Sequence, residues 1–388
     1  MRFTFKVTNY QCFASTGKGL EELLVNELQQ LGIIDPIIVN AGVKFTATFL
    51  QVMRVNLNSR IASRVMIQLV NENYYNETDI YEIAKSINWD DWFSVNNTIK
   101  VDTNAINCPL KSLEFITLKV KDAICDSFVA KYNERPDVNK QNPDMRIYNF
   151  LTKDTLTIYL DTSGESLFKR GYRQNKLEAP LKENLAAGLI QLTGWSSNVP
   201  FYDPMCGSGT IIIEAIFNGL NIAPGLKRNF AFERFELFER REWQLIQAHA
   251  KDVIKNNENL SIHASDIDHR SIILARQNLE KFGLERYVSL KKIDFINAIP
   301  PSNNAGIILT NPPYGVRLNE LNDLEVLYPK ISSNLKKNFA NWECFFFTSD
   351  LRLPKLFRLK PSRKYPIFNG ALDCRLFQFK MVSGSNRE

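Results

Sequence analysis

The sequence is poor in the residues that build metal sites and disulfide frameworks. It contains three histidines and six cysteines, and the cysteines are scattered without a CxxC pair or another pairing pattern. Because zinc sites need clustered Cys and His ligands and disulfide scaffolds need closely spaced cysteines, we expect neither a metal site nor a disulfide framework. A chain of 388 residues, 44% of them apolar, is long enough to bury two or three separate cores.

Long hydrophobic runs are also absent. No window approaches the roughly 18 unbroken apolar residues that a membrane span needs. The opening MRFTFKVTNYQCF lacks the charged, apolar and small-residue regions of a signal peptide. We therefore expect a soluble, cytoplasmic protein with no membrane contact. No obligate protein partner is evident in the sequence.

Charge of one sign is only in small excess. Lysine and arginine number 48 against 42 acidic residues, which gives a formal charge of +6 and a pI near 8.8. This balance permits a nucleic-acid partner without requiring one.

The first 160 residues mix helical and strand-like patterns, which predicts an α+β arrangement. Leucines from Leu20 to Leu31 recur on one helical face, so a helix is expected over 19–31. The proline-rich, polar stretch 133–144 is expected to be a loop. Further helices are predicted over 52–60, 80–87 and 113–132, and strands over 3–14, 37–39, 43–50, 64–70 and 155–161.

From about residue 180, short apolar strands alternate with helices, which is typical of a parallel, doubly wound sheet. The last two strands, 361–368 and 372–382, flank Asn369-Gly370, a dipeptide typical of hairpins. We therefore expect an antiparallel pair to close an otherwise parallel sheet. The preceding strands are predicted over 200–203, 261–265, 288–292, 306–310 and 344–348, with helices from Thr210 and over 269–282.

The glycine turn DPMCGSGT joins a predicted strand to a predicted helix. Glycines at such a junction let the backbone turn tightly and approach a ligand closely, so a nucleoside cofactor is expected there. The turn is neither the dinucleotide fingerprint, which would need a glycine at Ile212, nor a P-loop. A plain strand-to-helix turn is the alternative. The expected cofactor residues are Asp203, Pro204, Cys206, Gly207, Gly209 and Thr210, with Cys206 as a small packing residue and not a nucleophile.

Acidic residues follow the next two strands of the predicted sheet. Asp266 in Ser265-Asp266-Ile267-Asp268 is expected to bind both hydroxyls of a ribose, because an acid at the end of this strand does so in doubly wound folds. Asp268 is expected to cap the following helix. Asp294 could accept a hydrogen bond from an adenine amino group, and helix capping or solvation remains an equal alternative.

The loop Asn311-Pro312-Pro313-Tyr314 follows another strand of this sheet. Two consecutive prolines make it rigid and extended. The amide oxygen of Asn311 and the carbonyl of Pro312 are two acceptors suited to the two N–H groups of an exocyclic amine. Tyr314 offers a stacking face for a base removed from its stack. We expect all four residues to form the catalytic loop, although a simple proline-rich turn is the alternative.

The densest basic cluster is FKRGYRQNK, between the two halves of the chain. Basic side chains with interleaved aromatic rings are suited to RNA backbone and unpaired bases. A solvated linker is the alternative. The expected RNA-binding residues are Lys169, Arg170, Arg173 and Lys176. A second basic patch, formed by Arg358, Lys360, Arg363 and Lys364, is a weaker candidate.

Together these motifs resemble the class I S-adenosylmethionine-dependent RNA methyltransferases that carry a THUMP domain, specifically the bacterial large-subunit rRNA guanine-N2 methyltransferases. One departure is Val316, where the family usually has Glu before Arg317. Further segments carry the resemblance: GLEELLVNEL from Gly19, RIASRV from Arg60, VKDAI from Val120, RP at Arg135 with NPD at Asn142, RGYR from Arg170, APLKENLA from Ala179 and FNGALDCRLFQF from Phe368.

The resemblance implies a fold and a cofactor. The fold is α/β, with a Rossmann-like class I methyltransferase domain that has a terminal antiparallel hairpin, preceded by α+β ferredoxin-like and THUMP domains. The implied boundaries are 1–60 for the ferredoxin-like unit, 44–160 for the RNA-binding THUMP domain, with a blurred boundary between them, and 166–385 for the methyltransferase domain. The implied cofactor is S-adenosyl-L-methionine, with Asn184 as a further contact.

The expected activity is methyl transfer to an exocyclic amine of RNA, first of all guanine N2 of 23S rRNA. A tRNA guanine-N2 methyltransferase is the nearest alternative. A DNA adenine-N6 methyltransferase would use the same loop, but the THUMP-like half argues against it. An RNA-binding protein without catalysis is the last alternative, and the intact glycine turn, Asp266 and Asn311 argue against that.

Overall fold

The chain folds into two compact units, each with its own seven-stranded sheet. The computed structural model describes residues 8–173, 181–257, 259–313 and 318–382. The first unit comprises the described residues up to Thr16, with Val25–Leu167 and Lys227–His249. The second comprises Gly17–Leu24, Phe168–Leu226 and the described residues from Ala250 onward.

The helices and strands up to Asp161 follow one another in a mixed α+β order. They are β1 (Asn9–Ser15), α1 (Glu21–Gln30), β2 (Ile37–Val39), β3 (Gly42–Thr48), α2 (Phe49–Asn58), β4 (Arg64–Asn73), α3 (Glu77–Lys85), β5 (Ile99–Ala105), α4 (Leu113–Tyr132), β6 (Met145–Leu151) and β7 (Thr155–Asp161).

Strand β4 joins the two expected N-terminal domains into one sheet. The strand order is β2-β3-β1-β4-β7-β6-β5, and β4 pairs antiparallel with β1 on one side and with β7 on the other. Because β4 is 10 residues long, its residues 64–67 can pair with β1 while its residues 66–73 pair with β7. The continuous sheet accounts for the blurred boundary between the two expected domains.

Several elements of the first unit differ from the predicted ones. Helix α2 begins at Phe49, because Thr48 and Gln51 form a reciprocal capping box that ends the preceding strand early. Strands β5 and β6 were missed by the sequence prediction, although the buried and half-buried residues of β6 alternate with a period of two. The bounds of α4 and β7 match the predicted ones.

The elements from Glu183 onward alternate between strand and helix before a final hairpin. They are α5 (Glu183–Thr193), β8 (Phe201–Asp203), α6 (Thr210–Gly219), α7 (Arg240–Asp252), β9 (Ile262–Asp266), α8 (His269–Glu280), β10 (Val288–Lys292), β11 (Ile307–Thr310), α9 (Leu318–Asn338), β12 (Glu343–Thr348), α10 (Leu353–Phe357), β13 (Arg363–Asn369) and β14 (Leu372–Lys380).

The second sheet has the predicted doubly wound arrangement, in the order β10-β9-β8-β11-β12-β14-β13. Strands β8 to β12 pair in parallel, whereas β14 pairs antiparallel with β12 and β13. The terminal hairpin is confirmed, with Gly370 at φ 63° just after Asn369. One face of this sheet packs against α9 and α10 through a buried aromatic core that includes Tyr328, Phe346 and Phe357.

No helix among the described residues combines the length and the apolar character that crossing a bilayer requires.

Candidate active site

The strand order of the second sheet reverses direction between β8 and β11. The first crossover from β8 leads to β9 on one side, and β11 lies on the other side of β8. Open parallel sheets bind ligands at such a switch point, beyond the carboxyl ends of their strands. We call this end of the sheet the carboxyl edge. The glycine turn follows β8 and Asn311 follows β11, so both predicted motifs begin at this edge.

A side-chain hydrogen bond joins β8 and β11 at the carboxyl edge. Thr310, the last residue of β11, donates its hydroxyl to Oδ1 of Asp203, the last residue of β8, over 2.8 Å. The backbone N–H of Met205 donates to the same oxygen over 3.1 Å. Asp203 is buried, and burial raises the pKa of its carboxyl to about 7 despite these two donors.

The backbone of the glycine turn has conformations that favour glycine. Gly207 has φ 52° and Gly209 has φ 81°, both in the left-handed region. A Cβ atom at Gly209 would lie 3.2 Å from Cβ of Ala275 on α8, so the turn also packs closely against that helix. Asn278 of α8 donates its side-chain amide to the Ser208 carbonyl over 3.0 Å. Helix α8 therefore fixes the shape of the turn.

The Asp266 carboxylate is bound by two backbone N–H groups. Gly207 donates to Oδ2 and Asp268 donates to Oδ1, each over 2.9 Å. Asp266 is half-buried at the end of β9, and burial raises the pKa of its carboxyl, opposed by these donors. The first of these hydrogen bonds ties the acid directly to the glycine turn that it was predicted to complement.

The two other acids near this edge cap helices. Asp268 accepts from the backbone N–H of Arg270 over 3.0 Å at the start of α8, which confirms its predicted capping role. Asp294 accepts from the backbone N–H of Ile296 over 3.1 Å and caps a short 3-10 helix. Asp294 therefore caps a helix, as one of the two alternatives predicted. Asp294 is also half-buried beyond the end of β10.

The remaining turn residues are largely buried. Pro204 and Cys206 have little exposure, and Cys206 donates its backbone N–H to the Ser265 carbonyl over 3.0 Å. Burial raises the pKa of the Cys206 thiol well above its usual range, so a thiolate is disfavoured there. Thr210 begins α6, and Asn184 is buried in the first turn of α5.

The Asn-Pro-Pro loop leaves the sheet directly after Thr310. Asn311 is half-buried, Pro312 is buried and Pro313 is exposed. Tyr314, the fourth predicted residue of this loop, lies outside the described residues. The buried proline next to the half-buried asparagine anchors the start of the loop at the carboxyl edge.

Comparison with protein families identifies the chain. The RMKL-like methyltransferase domain matches residues 170–378, the THUMP domain matches 74–161 and the RlmL ferredoxin-like domain matches 11–66. The chain belongs to the RMKL-like methyltransferase family. This family membership agrees with the predicted resemblance and with the doubly wound second unit.

The similarity to individual relatives covers most of this chain. The ribosomal RNA large subunit methyltransferase K/L of Psychromonas ingrahamii is 37% identical over 374 residues, which cover 95% of this chain and 50% of the relative. The chain thus spans about half the length of the curated relatives it matches. Among solved structures, SMU.472 complexed with SAH has a TM-score of 0.89, 30% identity, and coverage of 97% of this chain and 99% of that chain.

A second solved structure carries a different description. A predicted N6-adenine-specific DNA methylase from Listeria monocytogenes str. 4b F2365 has a TM-score of 0.88 and 30% identity, with 96% of this chain and 97% of that chain covered.

The basic cluster of this methyltransferase-family chain is not one surface. Lys169 is exposed, but the side chain of Arg170 is only 1% exposed and its Nε lies 3.6 Å from Oε1 of the buried Glu214. The prediction that Arg170 binds RNA is therefore wrong, because a buried arginine held against a carboxylate cannot reach a phosphate. Lys176 lies outside the described residues.

Arg173 points toward the start of α6 and not outward. Its Nη2 donates to the Leu181 carbonyl over 2.8 Å and to the Thr210 hydroxyl over 3.1 Å, and lies 3.6 Å from Oε1 of Glu183. Burial raises the pKa of Glu183 to about 6, and the guanidinium of Arg173 opposes that rise. Arg173 thus stabilises the start of the helix that follows the glycine turn. These contacts do not support the predicted RNA contact.

Sequence reasoning gave no role to three residues that shape this site, and a sequence signal existed for only one of them. Thr310 and Asn278 have no motif of their own, and only the strand register and helix packing bring them to Asp203 and Ser208. The signal was Ile267, an apolar residue between two acids within its motif, and the structure leaves this residue 60% exposed. An exposed isoleucine beside Asp266 offers an apolar face at the carboxyl edge.

The described residues contain no group of three or more His, Cys, Asp or Glu side chains placed to hold a metal ion.

Proposed function

We propose that this chain is an S-adenosylmethionine-dependent RNA methyltransferase that modifies an exocyclic amine, namely guanine N2 of large-subunit rRNA. The observation that carries the proposal is the hydrogen bond between Thr310 and Asp203. It joins the strand before the glycine turn to the strand before the Asn-Pro-Pro loop. A cofactor on the turn and an amine on the loop would therefore meet at one edge of the sheet.

The residues of this edge fit a nucleoside cofactor. A Cβ atom added at Gly207 would meet no atom within 4 Å, so the turn faces open space on that side. Asp266 presents a half-buried carboxylate that the turn itself orients, and Ile267 presents an apolar surface beside it. A ribose diol needs such a carboxylate, and an adenine ring needs such an apolar face.

Each cofactor residue has a proposed role that follows from its chemistry. Asp266 binds the two ribose hydroxyls, and Asp294 accepts from the adenine amino group. Asp203 places a negative charge near the cationic part of the cofactor. Gly207 and Gly209 allow close approach of the backbone. The remaining proposed contacts come from Asn184, Pro204, Cys206 and Thr210.

The Asn-Pro-Pro loop is proposed to prepare the amine. The bound cofactor supplies an electrophilic methyl group on its sulfonium. The amide oxygen of Asn311 and the carbonyl of Pro312 accept the two N–H groups of the amine, which turns the nitrogen lone pair out of conjugation with the base. Pro313 keeps the loop rigid, and Tyr314 stacks on the extruded base.

This mechanism requires no nucleophilic cysteine. Carbon methylation of a pyrimidine requires a thiolate that attacks the ring, whereas attack by an amine lone pair does not. The buried Cys206, with its raised thiol pKa, does not suit the first role. The chemistry of the site therefore favours an exocyclic amine over a ring carbon.

RNA is favoured as substrate by the N-terminal half of the chain. The THUMP model matches 74–161, and the curated relatives are named as ribosomal RNA large subunit methyltransferases. Exposed Lys169, which precedes α5 in the chain, remains a proposed RNA contact. Action on ribosomal RNA would take place in the cytoplasm.

Adenine N6 of DNA is the second candidate. The solved structure from Listeria monocytogenes carries that description, and an adenine amino group would suit the same two acceptors. The THUMP match argues for RNA over DNA, because the curated relatives that cover this region of the chain are named as ribosomal RNA methyltransferases.

The test is to incubate the protein with labelled S-adenosylmethionine and, separately, unmodified 23S rRNA, tRNA and duplex DNA. Mass spectrometry of the digested nucleosides then identifies the product. We expect N2-methylguanosine from 23S rRNA. N2-methylguanosine from tRNA alone would show that tRNA and not 23S rRNA is the substrate. N6-methyladenine in DNA would favour the second candidate over the proposed function. No labelled product from any of the three nucleic acids would contradict both candidates.

A further inference from the structure

One stretch of the second unit carries positive charge without any acid. Residues 351–372 contain six Lys or Arg and no Asp or Glu. The charge of this stretch, +6, is as large as the formal net charge of the whole chain. Arg352 pairs with Asp350 and Glu325. The other five are exposed and form what we call the basic edge patch: Lys355, Arg358, Lys360, Arg363 and Lys364.

The strand register locates this patch away from the carboxyl edge. Strand β12 runs parallel to β11, so Glu343 begins β12 at the opposite end of the sheet, the amino edge. Arg363 pairs with Gln378, and Gln378 pairs with Phe345 near the start of β12. The cations at the start of β13 therefore lie toward the amino edge.

The ends of two helices lie in the same region. Ser332 and Lys336 of α9 both donate to the carbonyl of Phe357, the last residue of α10, over 2.6 and 3.3 Å. Arg358 follows that residue directly. Lys336 and Lys337 are exposed in the last turn of α9, so they add two cations beside the patch.

The patch cations have few acidic neighbours. Glu343, at the start of β12, lies 3.3 Å from Lys380 and attracts Arg363, and Gln378 donates to its other oxygen. Within the described part of the chain, Lys355, Arg358, Lys360 and Lys364 form no ion pair. An uncompensated cluster of this kind attracts a polyanion.

We propose that the basic edge patch binds the phosphate backbone of the RNA substrate, at a distance from the nucleotide that reacts. This inference rests on the proposed RNA substrate. Six residues of β12 separate the two edges of the sheet, which is about 20 Å at ~3.3 Å per residue. At this distance the patch cannot touch the target base and would contact phosphates of other nucleotides, which a folded RNA with a stem presents. Cations bind phosphates without reading sequence.

Two simpler explanations account for part of the patch. Cations at the C-terminal ends of α9 and α10 interact favourably with the helix dipoles. Lysines on an edge strand also prevent pairing with another sheet, and β13 is an edge strand. Lys360 fits neither explanation, since it lies in the connection between α10 and β13.

The experiment compares two triple variants of the full chain. Lys360→Gln/Arg363→Gln/Lys364→Gln removes three patch cations, and Lys251→Gln/Lys255→Gln/Arg276→Gln removes three exposed cations elsewhere in the same unit. The affinity for a stem-containing 23S rRNA fragment is measured at several salt concentrations, with S-adenosylmethionine affinity and thermal unfolding as checks on folding.

We expect the patch variant to lower the slope of log affinity against log salt by about 2 to 3, since each lost phosphate contact removes about one from the slope. The control variant should keep at least most of the wild-type slope. Affinity for a short, unstructured oligonucleotide with the target base should not change. If the triple variant misfolds, the single variant Lys360→Gln should lower the slope by about 1.

A wild-type slope in a folded patch variant would overturn the proposal, and so would equal losses in patch and control variants. Self-association of the patch variant with an unchanged slope would leave edge protection as the function of these cations. This test is independent of the reaction: loss of RNA affinity in a protein that methylates no RNA would contradict the proposed activity and support the patch.

Discussion

Thr310 and Asp203 are the last residues of two neighbouring strands, and their side chains form a hydrogen bond of 2.8 Å across the point where the sheet reverses its strand order. One strand leads to the glycine turn and the other to the Asn-Pro-Pro loop. A single contact thus couples the two motifs on which the proposed reaction depends.

Removal of the Thr310 hydroxyl tests this coupling. Thr310→Val takes one donor from the buried Asp203 carboxyl, and we expect a loss of about 1–3 kcal/mol in the free energy of unfolding. The Thr310 hydroxyl stabilises the ionised form of the Asp203 carboxyl, so its removal should raise the pKa of Asp203 further. Because the carboxyl is largely ionised at pH 8, the loss in the free energy of unfolding should be larger at pH 8 than at pH 5.5. Urea unfolding at the two pH values measures it. Thr310→Ser is the control, and an equal loss in both variants would contradict the coupling.

Asp203 should make cofactor affinity depend on pH. Burial raises the pKa of its carboxyl to about 7, so the group is largely protonated at pH 5.5 and largely ionised at pH 8. Only the ionised form attracts a cationic cofactor, so affinity should rise as the pH increases toward 7, by up to about tenfold per pH unit. Titration calorimetry between pH 5.5 and 7.5 should show this rise in the wild type and a flat profile in Asp203→Asn. A rise of the same size in the variant would assign the titration to another group.

Asp266 and Asp268 form a matched pair for the ribose assignment. Asp266→Ala removes the carboxylate that Gly207 orients and should weaken S-adenosylmethionine binding by about 1–3 kcal/mol. Asp268→Ala removes a helix cap and should lower the free energy of unfolding by about 1 kcal/mol with little change in cofactor affinity. Calorimetry and thermal unfolding separate the two effects. Wild-type cofactor affinity in Asp266→Ala would refute the assignment.

Arg173 should matter for the cofactor more than for RNA. It holds the Leu181 carbonyl and the Thr210 hydroxyl together at the start of α6. Arg173→Ala is expected to weaken S-adenosylmethionine binding several-fold, whereas Lys169→Ala should leave it unchanged. Binding measurements with the cofactor and with rRNA check both. A variant with normal cofactor affinity and weakened RNA affinity would restore the original prediction for Arg173.

The parts of this site that the sequence predicts are those in which chain order determines position. Asp203 and Asp266 end their strands and Asn311 directly follows one, and parallel strands bring their carboxyl ends to one edge. Glycines at 207 and 209 indicated a tight turn because left-handed backbone favours glycine. These inferences require only local pattern and fold class.

The parts that could not be predicted depend on partners that are distant in the sequence. Arg170 looks like a surface cation beside Lys169, and only the packing of α6 brings Glu214 against it. Thr310 has no motif, because its role comes from the register between β8 and β11. The shared sheet of the first unit could not be foreseen either, since it depends on β4 pairing on both sides.

The most direct test of the central claim is single-turnover methyl transfer by Asn311→Ala, with nucleoside mass spectrometry of the rRNA product and a parallel measurement of cofactor affinity. The account predicts that turnover falls by several kcal/mol in barrier, roughly the effect of losing a preorganised polar contact, while S-adenosylmethionine affinity stays near the wild-type value. Near-normal turnover in Asn311→Ala, or a wild-type product that proves to be a carbon-methylated pyrimidine, would contradict it.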